Sequence, residues 1–273
     1  MPELPEVETI RRTLAGHVTD VRVRAVRLIW PGAFKGWGEQ DFAEILTGRR
    51  IERVERRGKY LLLHLDEGWS LVAHMRMTGR LLYYPACQEV GPHTRGVFEL
   101  ERGELHFQDV RKFGRIQALP TEELNELPGI AALGPEPLER EFTPDVLRDR
   151  LRGKKACLKS ALLDQRVLAG LGNIYTDEAL FRANLHPERP AGSLGEEEAK
   201  VLTAAIKEVL SAGIEAQGTS FRDYRDADGR KGEFQRSLQV YGRQGQPCAV
   251  CGETLVRKRL GGRTTVFCPA CQA

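Results

Sequence analysis

Leu133-Gly134-Pro135-Glu136-Pro137-Leu138 divides this 273-residue chain into two parts of different character. Each proline fixes its own φ and pushes the residue before it out of the α region, so the segment is a stiff, extended connection. On its amino-terminal side apolar residues alternate, as in half-buried strands; beyond it they recur at helical spacing. Strands gathered in one half and helices in the other indicate an α+β, multidomain chain. Domains are expected at 1–132, 143–235 and 236–273, joined by a linker at 133–142.

Moving back from the linker, composition changes near Thr121. Residues 115–119, 104–108, 95–100, 80–84, 69–75 and 51–66 read as strands, with turns at Asp66-Glu67-Gly68 and Glu101-Arg102-Gly103. Residues 20–28 alternate through Val21 and Val23, slip phase at Ala25, and resume at Val26 and Leu28. Many short strands with frequent turn signals predict an antiparallel β-sandwich. Ahead of them, Pro5, Glu6 and Glu8, followed by Val7, Ile10, Leu14 and Val18 at helical spacing, predict an amphipathic first helix with Pro5 in its first position.

Moving forward, Thr143-Pro144 starts one helix, 158–165 forms a second, 173–183 a third, and 193–213 a fourth with Glu196 placed for a capping box. Between the second and third, Gly170 and Gly172 allow tight turning and Asn173 can cap the next helix. Backbone amides there suit a phosphate; a plain helix connection fits equally well. Residues 217–234 form a polar loop with Thr219, Ser220, Gly229 and Gly232, longer than most connections between packed elements.

Cys248, Cys251, Cys268 and Cys271 spell Cys-x2-Cys-x16-Cys-x2-Cys. Two such knuckles match a four-thiolate Zn2+ site with no open position, hence one structural ion holding a small hairpin with Gly261-Gly262-Arg263 at its tip. Cys87 and Cys157 stand alone. No run of about 18 apolar residues exists and the acidic amino terminus lacks the order of a signal peptide, which predicts a cytoplasmic protein without membrane association. Net charge is only +3, with pI near 8.5, so a polyanionic partner would be recognised by clusters such as Arg56-Arg57-Gly58-Lys59, Arg111-Lys112 and Arg257-Lys258-Arg259 rather than by bulk charge.

The most informative chemistry lies in Met1-Pro2-Glu3-Leu4-Pro5-Glu6-Val7-Glu8. Aminopeptidases generally remove Met before a small residue such as proline, which leaves Pro2 with a free secondary amine. Such an amine adds to a sugar aldehyde carbon to give a cationic iminium, an electron sink that acidifies the neighbouring C–H. Glu3 stands beside it to move protons. The positive end of the helix favours the neutral amine, while the Glu3 carboxylate pulls the other way. An ordinary start followed by capping acids is the alternative.

Taken together, Pro2 to Glu8, Lys59, the Gly-Asn-Ile-Tyr run at 172–175 with Asp177-Glu178, and the four-cysteine tail closely resemble the formamidopyrimidine-DNA glycosylase family from the first residue to the last. The resemblance implies a β-sandwich with flanking helices, a helix-two-turn-helix domain and a zinc hairpin. It implies a monomeric base-excision repair enzyme acting on double-stranded DNA that contains oxidised purines or abasic sites, cytoplasmic and nucleoid-associated through DNA. Pro2 is the nucleophile implied, Glu3 its proton donor, and Lys59 and Arg263 assist proton transfer and the second elimination. Met77, Arg111 and Phe113 match a wedge that fills the gap left by an everted nucleotide. His93, Lys154 and Asn173 match DNA contacts, and Glu178, Thr219 and Ser220 fall where the family holds the everted base. Arg95 stands where a second histidine often follows His93, a departure confined to one backbone contact. A related endonuclease VIII, selective for oxidised pyrimidines, typically begins Pro-Glu-Gly-Pro-Glu, and Leu4 together with the wedge set argues against it. A non-catalytic zinc-ribbon DNA-binding protein would need only the basic clusters and the cysteines.

Overall fold

Val7, Ile10, Leu14 and Val18 fall on one side of an α-helix, and each is 1% exposed or less in α1 (Leu4–Val18). The computed structural model describes residues 1–38 and 40–272. The helix starts one residue earlier than expected: Glu3 is the N-cap, and Pro5, lacking an amide hydrogen, sits in the first turn where none is needed.

The elements that follow are β1 (Val21–Leu28), β2 (Phe34–Lys35), α2 (Phe42–Leu46), β3 (Arg50–Arg57), β4 (Tyr60–Leu65), β5 (Trp69–His74), β6 (Gly79–Tyr84), β7 (Thr94–Leu100), β8 (Glu104–Asp109), β9 (Arg115–Pro120) and α3 (Pro128–Ala131). Among the described residues the strands run in the order β2-β9-β5-β4-β3-β1-β7-β8-β6, antiparallel except for β2 beside β9. Strand β1 belongs to two sheets. Val21 and Arg22 pair with β3, Val23 to Leu28 pair with β7, and the register shifts between Val23 and Ala25, where the alternation slips in sequence. Leu61, Leu63, Leu71, Ala73 and Ile116 from one sheet share a core with Leu81, Phe98, Leu105 and Phe107 from the other. Each such Leu, Ile or Phe side chain removed from water contributes about 1.5–3 kcal/mol, which makes the sandwich the main store of stability in this unit.

Residues 51–66, read from sequence as one strand, are two. Gly58 at φ 55° and Lys59 form a two-residue turn that brings Arg57 opposite Tyr60. A hairpin turn led by glycine needs no proline or Asx cluster, so it interrupts the strand pattern without the usual punctuation. Residues Ala216–Glu233 belong with Met1–Ala131. The expected boundaries count 217–234 with the helical domain, whereas Tyr224 and Ala227 lie in the sandwich core and the Ala227 carbonyl accepts the Tyr83 amide at 2.8 Å. Isolated apolar residues in a polar loop carry no periodicity to reveal this.

The second unit, beginning at Ala132 and resuming at Phe234, holds α4 (Pro144–Leu151), α5 (Leu158–Leu163), α6 (Asn173–Arg182), α7 (Glu196–Glu215), β10 (Val256–Leu260) and β11 (Arg263–Phe267). Thr143 caps α4 by accepting the Val146 amide at 3.3 Å. The N-cap of α6 is Gly172, not Asn173. Ser193 lies in a short 3-10 turn, α7 begins at Glu196, and the acid that reaches back is Glu198, which accepts the Gly195 amide at 2.8 Å. Fully buried Tyr175 stacks on Phe234 at 5.3 Å, and α7 passes so close that a Cβ at Gly213 would meet the Tyr175 ring at 2.5 Å. No helix among the described residues is long and apolar enough to cross a membrane.

Candidate functional site

The start of α1 is held by one carboxylate. Glu6 accepts the Glu3 amide on Oε2 at 2.8 Å, completing a capping box, and the Thr219 amide on Oε1 at 2.7 Å. The Tyr224 hydroxyl donates to the Glu6 carbonyl at 3.4 Å, and burial together with the Glu6 charge raises its pKa. Ser220 Oγ donates to the Tyr224 carbonyl at 3.1 Å and accepts the Gly232 amide at 3.0 Å. Pro2 and Glu3 are buried while Met1 is 48% exposed, and Thr219 is brought to the same turn with Ser220 next to it in the chain. In the sequence Glu6 is only a first-turn acid. Its partner lies 213 residues away, beyond the reach of any local pattern.

Lys59 sits in the β3–β4 turn and is 7% exposed, so it is not a solvated strand-end charge. Arg56 of the same hairpin donates to Glu8 of α1 at 3.4 Å, where Arg11 and Arg12 also bind at 2.8 Å. On the adjoining strand, His74 Nδ1 accepts the Arg76 amide at 3.0 Å and its ring meets Tyr60 edge-on at 4.7 Å. Burial, with the charges of Arg76 and Lys59, pushes His74 down to about 3 and keeps it neutral.

Met77, Arg111 and Phe113 converge. Arg111 Nη1 lies 2.9 Å from Met77 Sδ, and its guanidinium stands 4.7 Å over the Phe113 ring. Met77 and Phe113 are 41% and 49% exposed, against the ordinary expectation that such residues are core. His93 is exposed on the segment before β7, and its carbonyl accepts the Asp109 amide at 2.9 Å. Arg95 is buried and donates through Nε to the Asp109 carbonyl at 2.8 Å.

In the second unit, Arg263 opens β11 opposite Leu260, across the Gly261-Gly262 turn, whose φ angles of 54° and 77° suit a two-residue hairpin. The next carbonyl, of Thr264, accepts Lys159 Nζ at 2.8 Å and Asn173 Nδ2 at 3.0 Å. Lys159 also meets Asp177 at 2.7 Å with both side chains 1% exposed or less, and Asp177 accepts the Val266 amide at 3.2 Å. Burial pushes the Asp177 carboxyl up to about 7 against the pull of the Lys159 ammonium. These two residues, which carry no role in the sequence-based expectation, fix the strand that begins with Arg263. Lys154 is half-buried at the end of the turn after α4, its amide donating to Leu151 at 3.1 Å. Glu178 accepts the amides of Gln239, Val240 and Tyr241 at 2.8–3.0 Å, so it anchors the chain leading into the zinc segment. Burial raises its pKa against those donors. The Gly170 amide is taken by Gln165 Oε1 at 2.9 Å, which removes one of the donors that a phosphate in this turn would use.

The four cysteine sulfurs lie within 4.8 Å of one another, with 3.9 Å between Cys248 and Cys271 and 3.4 Å between Cys251 and Cys268. A tetrahedral Zn2+ with Zn–S near 2.3 Å puts its sulfurs about 3.8 Å apart, so the donor set fits one ion. Amides of Val250 and Cys271 point at Cys248 and Cys268 at 3.5 and 3.4 Å, as thiolate ligands require. The zinc is structural, because four thiolates leave it no open position.

Three family descriptions match in order along the chain: the formamidopyrimidine-DNA glycosylase N-terminal domain at 1–116, its H2TH domain at 133–225, and the zinc finger found in FPG and IleRS at 245–273. The formamidopyrimidine-DNA glycosylase of Desulfitobacterium hafniense (strain DSM 10664 / DCB-2) is 56% identical over 272 residues, covering 100% of both chains. The crystal structure of MutM (Fpg) from Thermus thermophilus superposes with a TM-score of 0.90 at 45% identity, covering 99% of this chain and 98% of that one. A point mutant of Lactococcus lactis FPG, in complex with DNA containing Fapy-dG, superposes at 0.93 with 35% identity and 99% coverage of each chain. The wild-type Lactococcus lactis protein has also been crystallised with DNA containing an oxidised pyrimidine.

Proposed function

The chain belongs to the formamidopyrimidine-DNA glycosylase family, and on that premise we propose how its own residues carry out base excision. The protein is a bifunctional DNA glycosylase and apurinic/apyrimidinic lyase of base-excision repair. It removes oxidised purines, 8-oxoguanine opposite cytosine and formamidopyrimidines, from double-stranded DNA. Once Met1 is removed, the neutral Pro2 nitrogen bonds to C1′ and then gives up its own hydrogen as a proton, while the glycosidic bond breaks with its electron pair leaving on the base, which takes up a proton. Glu3 protonates the ring oxygen as the deoxyribose opens, and the nitrogen lone pair completes the iminium. Loss of a C2′ proton expels the 3′ phosphate. Loss of a C4′ proton then expels the 5′ phosphate, leaving a gap with phosphates on both sides, and water releases the sugar fragment from Pro2. Lys59 and Arg263 assist the proton transfers and the second elimination.

Met77 and Phe113 fill the space of the everted nucleotide while Arg111 hydrogen-bonds the orphaned cytosine. His93, Lys154 and Asn173 take phosphates, which position the duplex without reading sequence. Thr219 and Ser220 serve the lesion base, whereas Glu178, expected beside it, holds the chain at Gln239 to Tyr241 instead. Cytoplasmic location, association with the nucleoid and action as a monomer belong to the same reading. The observation that carries it is the pair of hydrogen bonds accepted by Glu6: one carboxylate joins the turn that follows Pro2 to the loop at Thr219.

Purified protein is incubated with a duplex containing 8-oxoguanine opposite cytosine in the presence of borohydride, which reduces an iminium irreversibly, and the adduct is mapped by peptide mass spectrometry. A cross-link at Pro2 is expected. An adduct at a lysine, or none with DNA binding intact, overturns the Pro2 assignment. Faster excision of thymine glycol than of 8-oxoguanine from the same duplex overturns the purine preference.

A further inference from the structure

We propose that Asp109 is the positioning residue of the Met77, Arg111 and Phe113 cluster, holding it in the shape that everts a lesion while taking no part in bond chemistry. The inference rests on reading that cluster as the wedge. Asp109 ends β8 and is 1% exposed, and its carboxylate serves both segments from which the cluster is built. Oδ1 accepts the Thr78 hydroxyl and, at 3.2 Å, the Arg111 amide; Oδ2 accepts the Gly114 amide at 2.7 Å. Thr78 directly follows Met77 and Gly114 directly follows Phe113, so every member of the cluster is on, or one peptide away from, a bond to this carboxylate. Thr78 Oγ1 also accepts the Arg111 amide at 3.1 Å, which closes a ring of three residues.

The same residue's main chain binds the flanking positions. Its amide donates to the carbonyl of His93, and its carbonyl accepts from Arg95, the position at which this chain departs from the usual histidine. The loop is also unfavourable by itself. Lys112 lies at φ 59°, a left-handed conformation that is unfavourable for a residue with a side chain. Gly114 has no room for a Cβ, which would meet Phe107 at 2.7 Å and Asp109 Oδ2 at 3.1 Å. A charge-assisted network of two amides and a hydroxyl offsets that strain. Without it, two exposed apolar side chains would have to be ordered while the base is being unstacked, adding lost backbone entropy to the cost of eversion.

The test separates eversion from chemistry. Asp109→Asn and Asp109→Ala are compared with the unmodified protein on two duplexes of one sequence, one with 8-oxoguanine opposite cytosine and one with a preformed abasic site, where no base has to be extruded. 2-Aminopurine beside the lesion reports unstacking. Single-turnover excision of 8-oxoguanine and the 2-aminopurine signal should slow together by roughly 10- to 100-fold, while borohydride capture at the abasic site stays within about threefold. Equal losses on both duplexes, or no loss on either, overturn the proposal. Should Asp109→Ala not fold, Thr78→Val removes only the hydroxyl and carries the same comparison. Unmodified protein inert on both duplexes overturns the enzymatic reading instead, and this inference falls with it.

Discussion

Glu3 and Glu6 stand one helical turn apart, and the structure separates what their replacement should do. Glu6 takes two amides on two oxygens, so Glu6→Gln turns an NH2 group towards one donor and leaves it unsatisfied, at a cost of about 1–3 kcal/mol measurable by urea unfolding. Glu3→Gln keeps an oxygen that can accept the amide of the capping box, and should cut single-turnover excision by roughly 10²- to 10⁴-fold, as expected for loss of a proton donor. A Glu3→Gln protein that excises normally would remove Glu3 from the mechanism. His74 gives a signed pH prediction. Its folded pKa is depressed to about 3, so its neutral form contributes stability that is present above the unfolded pKa near 6.5 and is lost as pH falls towards 3. Between pH 7 and pH 5 the protein should lose roughly 1–2 kcal/mol through this residue, and His74→Gln should flatten that part of its stability profile.

At the level of elements, β11 is the strand whose placement depends on a buried charge pair. Lys159 bonds both Asp177 and the Thr264 carbonyl, and Asp177 bonds the Val266 amide, so the pair clamps β11 from the helical side. Lys159→Met leaves Asp177 buried without its countercharge, and should cost about 3–5 kcal/mol in urea. Pairing it with Asp177→Leu should restore much of the loss, because apolar partners of similar size need no desolvation. The double variant is therefore expected to be more stable than Lys159→Met alone, and the reverse order would show that the pair is not the clamp. Elements also differ in how visible they are in the chain. Helices α1, α4 and α6 announce themselves by periodicity and punctuation, with ends shifted by a residue or so. The β3–β4 turn, β2 and α2 do not, being too short for a repeated pattern to show.

For the whole molecule, the zinc segment shows the limit of hydrophobic burial. Its core is Val240, Cys248, Leu255, Val266 and Cys268 against Phe181, too few side chains to hold a segment of this length without the metal. Chelation, or Cys268→Ser, should therefore release the ion and weaken DNA binding at least about tenfold, while far-UV circular dichroism keeps the signal of the helices and the sandwich. Full zinc content in Cys268→Ser would refute the four-cysteine site. Because net charge is only +3, DNA affinity must come from placed cations. Lys154→Ala and Arg263→Ala should each lower the slope of log affinity against log salt by about 1, with little dependence on sequence.

The sequence by itself determined whatever is local in the chain: the change from strand to helix patterning across the linker, the first helix, the phase slip at Ala25, the zinc knuckles, and a family resemblance resting on residues near one another in each motif. Such features depend on backbone geometry and ligand spacing, which a short window contains in full. Only the tertiary structure decided what distant residues do together. It put Glu6 on Thr219, Arg111 on Met77, Lys159 on Asp177, and Asp109 on Thr78 and Gly114. A buried polar group must find a partner, but nothing in its own neighbourhood says which, because that partner is chosen when separate elements pack.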